Sequence, residues 1–167
     1  MGLTSLKNLF VTLYIATIAV VFATGHGLPD TIASNFGDAG RARGFMSRAA
    51  YLTMMGLLIG IIPLILVFAF KWLPRRLTNL TNIPNRSYWL APERRAQFQL
   101  RMEHAGLFMG SSVVTFMGAM HWLVFEANEV QPPRLASGPF FLVLGMFVVT
   151  TIGFLIWMSL EFRNPPA

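Results

Sequence analysis

No cysteine occurs in this chain, which removes disulfides, thiolate metal sites and cysteine nucleophiles together. Charge is nearly as scarce: 12% of the 167 residues are Asp, Glu, Lys or Arg, against 54% hydrophobic. Within the long apolar runs the one ionisable side chain is His121, which argues against an ion-coupled carrier, because such proteins keep charged groups at membrane depth. A Gly-rich phosphate loop, a serine elbow and an H-x-x-x-H metal pair are also missing, so no motif marks an enzyme and a non-enzymatic protein is expected.

What is present is oil in long blocks. Four of them, 9–25, 49–70, 105–125 and 140–160, approach or reach the roughly 20 residues needed to cross a hydrocarbon core about 30 Å thick. Backbone polar groups in lipid must be satisfied within their own segment, so each block is read as a helix, even the β-branched "LFVTLYIATIAVVFATG". Lys7 before that run and "VFA" at 21–23 also have the shape of a secretory signal, but the run is kept as a first transmembrane helix. The fold class expected is an all-α integral membrane protein, one domain over 1–167, with an outer loop at 26–48 and a cytoplasmic loop at 71–104.

The net charge of +6 is explained by where the charges fall. Lys7, Lys71, Arg75, Arg76, Arg86, Arg94, Arg95, Arg101 and Arg163 lie on one side of a four-span arrangement, with only Glu93, Glu103 and Glu161 against them. On the other side Arg41, Arg43, Arg48 and Arg134 are balanced by Asp30, Asp38, Glu126 and Glu129. The positive-inside rule then places both termini and the middle loop in the cytoplasm. These basic residues flank spans and form no reading motif, so nucleic acid is not a partner; membrane lipid and other membrane proteins are.

Local signals refine the connectors. "TIASNF", "GDAG" and "RARGFMSR" in the outer loop suggest a short β-hairpin or compact loop. Pro63 predicts a kink near 59–63 in the second span, and the pairs Gly56/Gly60 and Gly106/Gly110 predict close helix packing inside the protein. Pro92 followed by Glu93 reads as a helix start, giving one long helix from about Pro92 to Ala127 whose first three turns protrude into the cytoplasm or lie on its membrane surface. Tyr88 and Trp89 fit an interfacial anchor.

His26 and His121 sit at the same depth on different segments, the arrangement that could ligate a haem axially. With Asp30 and Glu126 they also supply metal-ligand residue types, though no tight spacing joins them. No cofactor and no metal is expected; a haem- or metal-bearing redox subunit using His26 and His121 is the alternative.

Two strings, "LPDTIASNFGDAGRARGFMSR" and "IPNRSYWLAPERR", with the later "EAN" and "PPR", resemble the uncharacterised bacterial membrane-protein domain that also forms the N-terminal part of SdpI-like immunity and signalling proteins. The resemblance runs from Leu28 to about Arg163. In the first string Leu28, Pro29, Phe36, Gly40, Gly44, Met46 and Ser47 match the family, while Asn35 and Phe45 stand where its histidine and tryptophan are usual. In the second, Pro84, Asn85, Tyr88, Trp89, Leu90, Pro92, Glu93 and Arg94 match. The resemblance implies the architecture of a bacterial inner-membrane protein and candidate positions only; the chain is read as an interaction, accessory or immunity-like signalling module, with partner-binding candidates at Pro29, Phe36, Gly40, Met46 and Arg48 outside, and at Asn85, Tyr88, Trp89, Glu93 and Arg94 inside. The outer contact is expected over Leu28–Ser47 and the inner one over Ile83–Arg95.

Overall fold

A computed structural model describes residues 2–76 and 84–163; Ile83, the first residue of the expected inner contact, lies outside them. In chain order the elements are α1 (Leu3–Gly25), β1 (Thr31–Phe36), β2 (Ala42–Ser47), α2 (Arg48–Arg76), the one-turn α3 (Arg86–Trp89), α4 (Arg95–Glu129) and α5 (Ser137–Arg163). Helices α1, α2, α4 and α5 are each long and apolar enough to cross a membrane. One end of the bundle carries the β1–β2 hairpin and the α4–α5 connector; the other carries α3 and both terminal helix ends.

Helix α4 is the axis of the fold. In its most apolar stretch 39% of residues are buried, against 6% in α5. The small residues Ala105, Gly106 and Gly110 on α4 are buried because neighbouring helices press on them. A Cβ on Gly106 would lie 2.7 Å from Phe70, and one on Gly110 2.8 Å from Val67 and 3.0 Å from Phe10. Gly56 likewise receives Phe22, and Gly60 faces the Tyr14 hydroxyl, so both glycine pairs serve packing within the chain. Helix α5 packs chiefly through ring pairs, Phe116 on Phe147 and Phe108 on Phe154. The falling α5 numbers opposite rising α4 numbers show the two helices antiparallel.

Pro63 sits within a continuous α2. Its ring nitrogen has no hydrogen to give the Ile59 carbonyl, and in the same turn the Tyr14 hydroxyl donates to the Gly60 carbonyl at 2.8 Å, adding a donor from a neighbouring helix.

The start of α4 differs from the sequence expectation. Ala91 to Arg94 form turns, with Arg94 N–H on the Ala91 carbonyl at 3.0 Å, and the first helical bond runs from Phe98 N–H to the Arg94 carbonyl at 2.9 Å. The helix therefore begins at Arg95, and Pro92 lies in the turn before it. Its first turns pack on the rest of the protein, with Phe98 and Met102 buried in a cluster with Trp89 and Phe162. The apolar pair at 98 and 102, one turn apart, has α3 and the end of α5 to bury against.

The hairpin is antiparallel, pairing Thr31 with Ser47, Ile32 with Met46 and Ala33 with Phe45 before a bulge shifts the register to Asn35 with Gly44. Ile32 and Ala33 are fully buried, and Met46 packs on the cluster of Val21, Tyr51, Met55 and Ile59. The hairpin thus sits on the helices as a lid on the bundle end.

Candidate functional site

Two assemblies, one at each end of the bundle, contain most of the residues that the sequence marks out. At the hairpin end the centre is Asn128, buried near the end of α4. Its Oδ1 accepts the Ala33 N–H at 2.7 Å, and its Nδ2 donates to the Ala33 carbonyl at 2.9 Å and to the Val124 carbonyl at 2.8 Å. The carboxamide completes the outer edge of β1 as a neighbouring strand would, so both backbone groups of a buried residue are satisfied. The connector closes the other side. Leu135 N–H donates to the Gly40 carbonyl at 2.8 Å, and Arg134 Nε donates to the Ala39 carbonyl at 3.0 Å. Gly40 has φ +72°, and a Cβ there would stand 2.0 Å from the Leu135 carbonyl oxygen, so only glycine fits.

Arg48 ties the base of the hairpin. Its guanidinium donates to the Leu28 carbonyl and to Asp30 Oδ1, each at 2.8 Å. Phe36 is half-buried against Leu123, Ala127 and Leu135. Of the outer candidates, Phe36, Gly40, Met46 and Arg48 thus hold the lid in place, and Pro29 is exposed beside it. Facing outward instead are Arg41, Arg43 and Phe45, the last 58% exposed.

Beneath the lid His121 is buried, with Nε2 2.8 Å from Thr24 Oγ1 and Nδ1 2.9 Å from the Tyr51 hydroxyl. Thr24 gives its own proton to the Val20 carbonyl at 2.7 Å, so it accepts from Nε2–H, and Nδ1 accepts from Tyr51. The chain Tyr51 to His121 to Thr24 to Val20 links α2, α4 and α1 with every member satisfied. A haem iron or metal at His121 would have to displace one of these hydroxyls. His26 is exposed, and its backbone carbonyl lies 3.4 Å from the Arg48 guanidinium. No group of three or more potential metal-ligating side chains forms among the described residues.

At the other end, the string at 84–95 wraps the end of α5. Asn85 Nδ2 donates to the Arg163 carbonyl at 2.6 Å, and Trp89 Nε1 to the Phe162 carbonyl at 2.9 Å. These are carbonyls of the last helical turn, which have no partner within their own helix. Asn85 adopts the left-handed region, φ 52°, which asparagine tolerates better than most residues. Trp89 is fully buried, its ring edge-on to Phe162 and Tyr88, and so lies inside the fold, away from any surface. The Arg94 guanidinium stacks 4.0 Å from the Tyr88 ring centre, and Glu93 is exposed. Nearby, Glu103 pairs with Arg75 and, at 3.8 Å, with Lys7, joining α1, α2 and α4, while Arg101 pairs with Glu161 across α4 and α5.

Sequence reasoning missed Tyr51, Thr24 and the anchoring role of Asn128. The available signal was a lone polar residue near the end of an apolar helix, which in lipid needs a partner from another segment.

The fold and these two assemblies define a class: a bundle of four membrane-length helices with a hairpin lid at one end and a helix-end clamp at the other. Comparison adds no identity, since no protein-family model, no curated protein and no solved structure matches the chain.

Proposed function

We propose that this chain is a non-enzymatic multi-pass protein of the bacterial cytoplasmic membrane, with both termini inside, acting as an interaction or accessory module of the SdpI-like kind through its outer lid. The observation that carries this reading is the lid's construction. The hairpin is fixed from behind by Asn128, Arg134, Leu135 and Arg48, while Arg41, Arg43 and Phe45 face outward from it. A preformed platform binds without a large ordering cost, and an aromatic flanked by arginines has the composition of a binding hot spot. Arg94 and Glu93 offer a second, smaller contact inside; Trp89 supports it from within the fold.

Because the chain lacks cysteine, single introduced thiols report topology. Phe45→Cys should react with a membrane-impermeant maleimide in intact spheroplasts, and Ser87→Cys only after permeabilisation; the reverse pattern overturns the orientation. A photo-crosslinking residue at position 45 in native membranes should give one discrete protein adduct. Absence of that adduct, with Phe45→Cys labelled as expected, would remove the interaction reading and leave the topology intact.

A further inference from the structure

Helices α1 and α5 both pack on α4 but scarcely on each other, so a groove runs along α4 between them. It has two joined hollows that share Leu6, Phe108 and Thr150. The one toward the chain termini, about 600 Å³, is bounded by His104, Phe108, Phe154 and Trp157. The other, about 450 Å³, continues along Ser111, Thr115 and Ala119 between apolar walls. From His104 to Ala119 the groove spans about 22 Å at 1.5 Å per residue.

Size and charge decide what fits. Each hollow lies in the range of small-molecule sites, about 300–1,000 Å³. No Lys or Arg lines either hollow, so a phosphate headgroup finds no counter-charge. The head of the groove is aromatic, with Phe108 stacked on Phe154 at 5.7 Å and Phe154 6.0 Å from Trp157. Because Phe108 and Phe154 face each other on antiparallel helices, His104 and Thr150 lie one turn to either side of that pair. His104 Nδ1 donates to the Leu100 carbonyl at 2.8 Å, which leaves Nε2 as an acceptor in the neutral ring. The hydroxyl of Thr150 makes no hydrogen bond among the described residues, unlike those of Ser112 and Thr115, which bond the carbonyls four residues earlier.

We infer that this groove binds an isoprenoid quinol or quinone. Its flat, uncharged ring occupies the aromatic head, with one oxygen toward His104 and the para oxygen toward Thr150, and its tail runs along Ser111 to Ala119. The free Nε2 position of His104 faces one ring oxygen, and the Thr150 hydroxyl can donate to a carbonyl or accept from a hydroxyl.

Decylubiquinone and decylubiquinol, titrated into the full chain in nanodiscs of phosphatidylcholine, test this through quenching of tryptophan emission. The expected result is a saturable component that disappears in Trp157→Phe and that shifts about threefold to tenfold to weaker binding in both His104→Ala and Thr150→Val, the loss of one hydrogen bond each. Melting curves of each variant verify folding, and the near-isosteric Thr150→Val carries the test if His104→Ala does not fold. Quenching that rises linearly without saturation, a saturable component equal in wild type and Thr150→Val, or displacement by a decyl-chain phosphatidylglycerol at the same concentration would each overturn the proposal.

Discussion

Replacing Asn128 by alanine tests the lid directly. The change removes three hydrogen bonds and orphans both backbone groups of Ala33, a residue with no accessible surface. A buried polar group left without a partner costs about 1–3 kcal/mol. At the low end the two groups give ~2 kcal/mol, since water can reach a site at the bundle end once the lid loosens. That corresponds to a roughly 30-fold increase in the population of the open lid. Hydrogen exchange in detergent or nanodiscs reads it at the Ala33 amide, which Asn128 alone protects because the Ala33–Phe45 pair turns its backbone groups away from each other. The expectation is about 30-fold faster exchange at Ala33, with smaller changes at Ile32, whose bonds run to β2, and none in the middle of α4. Asn128→Asp should be intermediate or worse, as it keeps an acceptor for the Ala33 N–H but sets an oxygen against the Ala33 carbonyl. Unchanged Ala33 exchange in Asn128→Ala would refute the claim that this carboxamide stands in for a strand.

Other positions give sharper contrasts. Gly40→Ala should lower the melting temperature, because a Cβ there meets the Leu135 carbonyl at 2.0 Å and φ is positive, whereas Gly145→Ala, with nothing within 4 Å, should melt at or above wild type. Trp89→Phe keeps an aromatic ring but loses the bond to the Phe162 carbonyl and should cost about 1–2 kcal/mol by denaturant titration, while Trp89→Ala should cost about 3–5 kcal/mol; a Trp89→Phe variant as stable as wild type would mean that the indole N–H does nothing. In a double-mutant cycle, His121→Leu and Tyr51→Phe should each destabilise, and the pair should cost less than their sum, because the second change removes a hydroxyl that the first has already orphaned. Strict additivity would break the proposed chain of hydroxyls.

The architecture was legible because the bilayer scale is coarse: runs of the right length, without charge, leave little choice but helix. The hairpin was legible too, from turn residues between short β-prone strings. The start of α4 was misread for a specific reason. Pro92 and Glu93 carry the local signature of a first turn, but Asn85 and Trp89 just before them are committed to the end of α5, and that tertiary demand bends 91–94 into turns. Trp89 was misplaced by the same logic: beside basic residues it has the look of an interfacial anchor, and only the path of α5 shows that its N–H has a buried carbonyl to meet. His121 was noticed for what imidazole can ligate, whereas its partners Thr24 and Tyr51 lie 97 and 70 residues away in sequence, beyond the reach of any spacing argument.

The segments at 28–48 and 84–95 therefore have a shared physical basis. Each lies where a membrane-length helix ends and its last backbone groups need partners from elsewhere in the chain. Asn85 and Trp89 cap the final carbonyls of α5, while Asn128 and Arg134, from the "EAN" and "PPR" pieces, complete a sheet edge and a turn in the lid. Polar residues used this way are fixed by geometry alone, since shifting one by a position leaves a buried group unsatisfied at about 1–3 kcal/mol. Arg41 and Phe45 on the lid, and His104, Thr150 and Trp157 along the groove, take no part in these bonds. Phe45 faces outward and is 58% exposed, so Phe45→Trp should leave stability unchanged while altering whatever the lid contacts.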